Sequence, residues 1–367
     1  MLDEKIWIKV IRTISKTGGY PFPINDNLME LTQILLTEEE AQFLLIFRIK
    51  NSLNINQIKA KTDLDEDLLE KMLNQLMDKG IIVGVLSRSR ELMVYHLNNY
   101  LPGIFEYTFM KGGTGERDKK IAHIFERLDK DLTELFQKNY DRNVEQLRKI
   151  PPGDRIVPIE ETIDVQPELV LQFEEISKLI NKFDNISVAI CYCRHHKDLL
   201  DDHCKIDAPK LTCMQLGKSA VFSTAHGFAK PISKDEAITI LRKAEDVGLV
   251  HRVVHSGINL ENEEVTICNC CKCCCDQFQK FYRGTIPLMS RTSYVAKVES
   301  DLCSGCGTCV EKCPVESPKL VNDISVVDEN RCIGCGVCAY HCPEEAINLN
   351  RTGPRVAFIP PPRIEQS

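Results

Sequence analysis

The chain has 367 residues, 43% of them hydrophobic and 27% charged, with a formal net charge of −7. That length predicts two or three domains with real cores, and the acidic balance excludes a global basic field that would gather nucleic acid or anionic membrane. No run approaches the roughly 18 apolar residues of a membrane span, and the start MLDEKIWIKV lacks the pattern of a secretory leader, so the expected location is the cytoplasm.

Taken in chain order, the first clear element opens at Thr37, which forms the capping-box pattern T-x-x-E with Glu40 ahead of a largely apolar run from Ala41 to Ile49. A second short helix fits Asn56 to Lys61. A third fits Asp65 to Lys79, with Leu68, Leu69, Met72, Leu73, Leu76 and Met77 on one face and Gly80 as its C-terminal cap. Two β-like runs, Ile81–Leu86 and Glu91–Leu97, follow around the polar turn Ser87–Arg90. Helix, helix, helix, hairpin over about 37–97 is the order of a winged helix. Its third helix carries Asp65, Glu66, Asp67, Glu70 and Asp78 against Lys71 and Lys79, a poor surface for a polyanion. Arg88 and Arg90 in the wing add little, so nucleic acid is not the expected partner.

Residues 117–139 place Ile121, Ile124, Leu128, Leu132 and Leu135 on the apolar stripe of a long helix. Lys111-Gly-Gly-Thr-Gly115 lacks the spacing of a phosphate loop and reads as a plain loop. Pro151, Pro152, Gly153 and Pro158 mark 150–165 as an extended linker. A helix fits Pro167–Phe183, a strand fits Ile186–Ile190, and Ser233 with Glu236 opens another capped helix that stops at Gly248. The Pro-rich end after Arg351 reads as loose.

The chain holds 18 cysteines, all between Cys191 and Cys342. In a reducing compartment, thiols gathered in C-x-x-C groups mean metal rather than disulfides. Two runs share one pattern: Cys303-x-x-Cys306-x-x-Cys309-x-x-x-Cys313-Pro314, and Cys332-x-x-Cys335-x-x-Cys338-x-x-x-Cys342-Pro343. Such spacing wraps one loop around an iron–sulfur cubane, and the fourth cysteine of each run ligates the other cluster in two-cluster ferredoxins. Cys303, Cys306, Cys309 and Cys342 are therefore expected to hold one [4Fe–4S] cluster, and Cys332, Cys335, Cys338 and Cys313 the other. The segment 295–350 resembles bacterial two-[4Fe–4S] ferredoxins. It departs from them in the second proline of Val315-Glu316-Ser317-Pro318, which predicts unequal exposure of the two clusters. Paired zinc knuckles fit this spacing poorly.

Ten cysteines remain: Cys191, Cys193, Cys204 and Cys213, spread out, and Cys268, Cys270, Cys271, Cys273, Cys274 and Cys275, packed together. Adjacent side chains cannot all face one metal, so the packed run serves two centres or leaves thiols over. One or two further iron–sulfur clusters are the expectation, with a structural zinc site as the alternative. His195, His196, His203, His226 and His255 are weaker candidate ligands, and Arg194 and Lys272 either offset cluster charge or face solvent.

Cys191-Tyr-Cys193-Arg194, then Cys204, Cys213, Gly217, the I-S-K-D-E-A run at 232–237, Gly248-Leu-Val250 and the run from Ile267 to Cys275 resemble a multi-cluster 4Fe-4S ferredoxin-like family of anaerobes. That family also has the winged-helix-like region and the two ferredoxin runs in this order. The resemblance implies iron–sulfur binding and redox work and supplies no substrate.

The expected fold class is α+β: a helical region at 1–150 with the winged-helix-like unit, a cysteine-rich iron–sulfur domain at 151–285, a dicluster ferredoxin domain at 286–352 and a flexible tail at 353–367. The expected function is electron transfer, as a polyferredoxin-like carrier or as the electron-transfer subunit of an anaerobic oxidoreductase complex, with a redox partner protein docked on the N-terminal half. An oxidoreductase with an active-site cluster in the middle, and an iron–sulfur redox-sensing winged-helix regulator, are the alternatives. No catalytic residue is assigned.

Overall fold

The structure is a computed structural model and describes residues 3–87, 89, 91–163, 174–256 and 263–364. Helix and sheet are mixed throughout. In chain order the elements begin with helices α1 (Glu4–Ser15), α2 (Asp26–Leu35) and α3 (Glu38–Leu44), strand β1 (Ser52–Asn54), helices α4 (Ile55–Lys59) and α5 (Glu66–Asp78), and strands β2 (Ile82–Leu86) and β3 (Met93–Leu97). Helices α6 (Ile104–Met110), α7 (Glu116–Lys138) and α8 (Tyr140–Arg148), strand β4 (Asp154–Val157), helix α9 (Ile176–Asn181), strand β5 (Ile186–Ile190) and helix α10 (Tyr192–Leu199) follow. Next come strand β6 (Leu211–Leu216), helix α11 (Gly217–Ala225), strand β7 (Lys230–Pro231), helix α12 (Lys234–Asp246), strands β8 (Val250–His255) and β9 (Glu264–Cys270), helix α13 (Asp276–Tyr282) and strand β10 (Leu288–Val298). The chain closes with helix α14 (Thr308–Lys312), strands β11 (Pro318–Val321) and β12 (Ile324–Val327), helix α15 (Val337–Tyr340) and strand β13 (Ile347–Ile359).

Two compact units separate, and neither is contiguous in sequence: residues 1–134, 190–202 and 222–230, and residues 135–189, 203–221 and 231–367. In the first unit, α1 buries Trp7, Val10, Ile11 and Ile14, a helical i, i+3, i+4, i+7 stripe. Helices α1 and α2 precede the first element read from the sequence. The capping box of Thr37 and Glu40 is present, with Glu40 N–H donating to Thr37 Oγ1 at 3.2 Å. Asp65 caps α5, whose buried face is Leu69, Leu73, Leu76 and Met77. Strand β1, between α3 and α4, joins the hairpin in a three-stranded antiparallel sheet of order β1-β3-β2. Arg88 and Arg90 lie outside the described residues.

The second unit is built on an eight-stranded sheet of order β13-β10-β4-β8-β9-β6-β5-β7. Two expectations fail here. Residues 150–165 contain β4, which lies between β10 and β8 and whose four residues are all buried. Its prolines, Pro151, Pro152 and Pro158, stand on either side of the strand, where no ladder hydrogen bond is lost. The tail after Arg351 is not loose through its first half either. Strand β13 runs to Ile359 and pairs antiparallel with β10, from Leu288↔Ile359 to Val298↔Ile347, which buries Ala357 and Ile359. Of the helix expected at 167–183, the described part is α9, and residues 164–173 lie outside the described residues. Helix α12 opens on the Ser233–Glu236 capping box, with Gly248 at φ +85° just beyond its end.

Candidate metal centres

The two C-terminal cysteine runs adopt one conformation twice. In the first, Gly305 and Gly307 have φ of +71° and +79°; in the second, Gly334 and Gly336 have +63° and +80°. Each second glycine precedes a short helix, α14 or α15, that carries the third cysteine of its run. The glycines are needed for space as well as for φ. A Cβ on Gly334 would lie 2.2 Å from the Tyr294 carbonyl oxygen, and one on Gly305 would lie 2.4 Å from that of Asp323.

These loops leave two cavities. Cys332, Cys335 and Cys338 line one together with Cys313 of the other run, within an apolar wall that includes Ala296, Val315, Val327 and Leu349. Cys303, Cys306 and Cys309 line the second together with Cys342. Each fourth cysteine thus faces the cavity of the opposite loop. Backbone N–H groups point at the sulfurs: Ala296 donates to Cys332 Sγ, Ser317 to Cys313 Sγ and Ser325 to Cys303 Sγ, each at 3.4 Å. The two cavities differ in wetness. All four cysteines of the first are buried, whereas Cys306 is exposed and Cys303 and Cys342 are half-buried in the second. Burial accordingly pushes the thiol pKa of Cys335, Cys338 and Cys313 up. The hydroxyl and backbone of Thr308 push that of exposed Cys306 down.

Four thiols around an apolar cavity, with amides aimed at sulfur, fit a cubane. A bound cluster would supply the charge that keeps buried thiolates deprotonated, and the amides would provide the hydrogen bonds that tune it.

Strand β9 and the turn after it divide the packed run. Cys268 and Cys270 alternate onto one face of β9, and Cys271, Cys273 and Cys274 lie in the following turn. Cys275 caps α13. Cys204, Cys271, Cys273 and Cys274 bring their sulfurs within 4.8 Å of one another. The separations are 3.9 Å for Cys204–Cys271, 3.7 Å for Cys204–Cys273 and 3.6 Å for Cys273–Cys274. Ala208, Ala244 and Leu249 pack around them. The thiols of Cys271, Cys273 and Cys274 surround Cys204 and hold its pKa far down.

A second thiol group runs from Cys213 on β6 through Cys268 and Cys270 to Cys275, each beside the next. Cys270 and Cys275 share a core with Cys313 and Cys335. The sequence reading missed the cation of this group. Arg252, opposite Cys268 in the β8–β9 register, places Nη1 3.9 Å from Cys275 Sγ. It is held by the buried Asp154 of β4, which also accepts from Ser290 Oγ at 2.9 Å. An Arg on one strand and an Asp in a Pro-flanked segment carry no local signal of each other; only the sheet pairs them.

Cys191 and Cys193 belong to the other compact unit, at the N-cap and first turn of α10. Two of the histidines weighed as ligands face backbone carbonyls there: His195 Nε2 lies 2.8 Å from Gly113 O and His196 Nε2 3.1 Å from Ala122 O. His226 pairs with Asp78 at 2.7 Å. Arg194 is 1% exposed, so it does not face solvent. Lys272 is 42% exposed and pairs with Glu316 at 2.8 Å, so it faces solvent.

No helix among the described residues is long and apolar enough to cross a membrane. No curated protein and no solved structure matches the chain. Residues 296–343 match the 4Fe-4S dicluster domain family, so the C-terminal segment is a ferredoxin-like dicluster domain and the chain an iron–sulfur protein.

Proposed function

We propose that the protein is an electron carrier, or the electron-transfer subunit of a larger oxidoreductase, working through two [4Fe–4S] clusters. Cys332, Cys335, Cys338 and Cys313 hold one, and Cys303, Cys306, Cys309 and Cys342 hold the other. The observation that carries this reading is the exchange of fourth cysteines between two cavities in a segment that matches a dicluster family. When bound, each cluster takes up and releases a single electron within a potential range of roughly −700 to +450 mV.

The chain's own residues make the two positions unequal. The wall of Ala296, Val315, Val327 and Leu349 keeps water from the first cavity. Added negative charge is costly there, which favours the lower potential. Exposed Cys306 opens the second cavity to a partner, which makes it the port. Cys213, Cys268, Cys270 and Cys275, beside Arg252, form a third donor set, two of whose members, Cys270 and Cys275, share a core with Cys313 and Cys335, and the set suits a further iron–sulfur group.

The region 37–97 supports docking of a protein partner. Its helices and three-stranded sheet have the order of a winged helix, and the acidic N-terminal turn of α5 disfavours nucleic acid.

Protein prepared without oxygen should carry at least about eight iron and eight sulfide. Reductive titration followed by electron paramagnetic resonance should show two or more one-electron steps with no substrate present. A colourless chain, or one with zinc at the eight C-terminal cysteines, sinks this reading.

A further inference from the structure

We propose that Cys204, Cys271, Cys273 and Cys274 form a closed site for a single zinc ion, distinct from every iron–sulfur site of the chain. Four thiolates bound to one ion at a metal–sulfur distance of about 2.3 Å form a tetrahedron with edges of about 3.8 Å. Three of the sulfur pairs, at 3.9, 3.7 and 3.6 Å, have that edge length. A cubane separates its four thiolates further, because each binds a different iron and the inorganic core lies between them.

The same chain shows the wider arrangement twice. Each ferredoxin set lines the wall of a cavity instead of converging on one point. Neither set appears among groups with three ligand atoms within 4.8 Å of one another, and among the described residues the Cys204 set is the one group that does.

The surroundings suit a structural ion. Four thiolates complete a tetrahedron and leave no position for water or substrate, which is the mark of structural zinc. Lys205 N–H donates to Cys273 Sγ at 3.4 Å, a hydrogen bond of the kind that supports a metal-bound thiolate. Ala208, Ala244 and Leu249 cover the site. The ion would tie the loop at 204 to the turn at 271–274, two segments that lie far apart in sequence. The turn sits between the two β9 cysteines, Cys268 and Cys270, and Cys275, and the ion would act as a local cross-link that carries no electrons itself. This inference does not depend on the electron-transfer reading.

The test uses the full chain, made without oxygen in medium containing both zinc and iron. Elemental analysis should find one zinc per chain, and X-ray absorption at the zinc edge should show four sulfur neighbours at about 2.3 Å. In Cys204→Ser the zinc should be lost or show three sulfurs, while the iron and sulfide content stays unchanged. If Cys204→Ser does not fold, the zinc-edge spectrum of the wild-type chain decides alone. Three results overturn the assignment: no zinc in the wild-type chain, a single iron at this site, or a loss of about four iron and four sulfide in Cys204→Ser.

Discussion

Cys313 shows how much one residue can report. It follows Cys303, Cys306 and Cys309 in sequence but lines the cavity of Cys332, Cys335 and Cys338. Cys313→Ser should therefore perturb the buried cluster and spare the exposed one. Iron analysis should show a loss of up to about four atoms of eight, and the surviving resonance should be the one that Cys342→Ser removes. If both variants removed the same resonance, the exchange of fourth ligands would be wrong. Gly334 makes a second test. A methyl group there meets the Tyr294 carbonyl at 2.2 Å in addition to the strain of positive φ, whereas at Gly353, φ +79°, nothing lies within 4 Å. Gly353→Ala should cost about 1–3 kcal/mol from backbone strain alone. Gly334→Ala should cost more and release the buried cluster, as judged by anaerobic denaturation and iron content.

At the scale of elements, β13 is the useful case. Along it, Ala357 and Ile359 are buried in the core shared with Cys313 and Cys335, and Val356 is 50% exposed. Ile359→Ala should destabilise the second unit by about 2–5 kcal/mol, as for a core truncation, while Val356→Ala should stay within about 0.5 kcal/mol. Equal small effects in denaturant titrations would mean that the strand contributes nothing beyond Arg351. Strand β4, on the other flank of β10, makes the same point. Its Asp154 and Arg155 are charged residues in a Pro-flanked segment, and each is buried against a partner, Arg252 and Glu264.

At the scale of the molecule, the first unit contains a buried histidine that links stability to pH. Burial between Phe105 and Phe109, with ring centroids 5.1 and 5.0 Å away, lowers the pKa of His196 to about 4. Its unfolded value is near 6.5. Between those values the unfolded chain binds the extra proton and the folded chain does not, so stability is full above about pH 6.5 and falls as pH drops toward 4. Going from pH 7.5 to 5 should cost about 2 kcal/mol through this group. His196→Gln should remove that slope. The chain has one tryptophan, Trp7, buried in this same unit, so its fluorescence follows the unfolding directly. An unchanged slope in the variant would show that His196 is not the group responsible.

Much of this was legible in the residues alone because the relevant physics is local. Three-residue cysteine spacing, glycines at positive φ, capping boxes at Thr37 and Ser233 and the apolar stripes of α5 and α7 each depend on neighbours within a turn or two of chain. The ferredoxin match at 296–343 and the cysteines that line its two cavities follow from that local grammar. What stayed hidden was set by distant pairing. The prolines around β4 and after Arg351 carry the same local signal whether the chain between them is loose or laddered, and only the partners β8 and β10 decide. The ten middle cysteines were a count without a partition. Strand alternation along β9, the turn after it, the position of Cys213 on β6 and the approach of Cys204 divided them, because metal sites answer to sulfur–sulfur distances in space, which sequence separation does not encode.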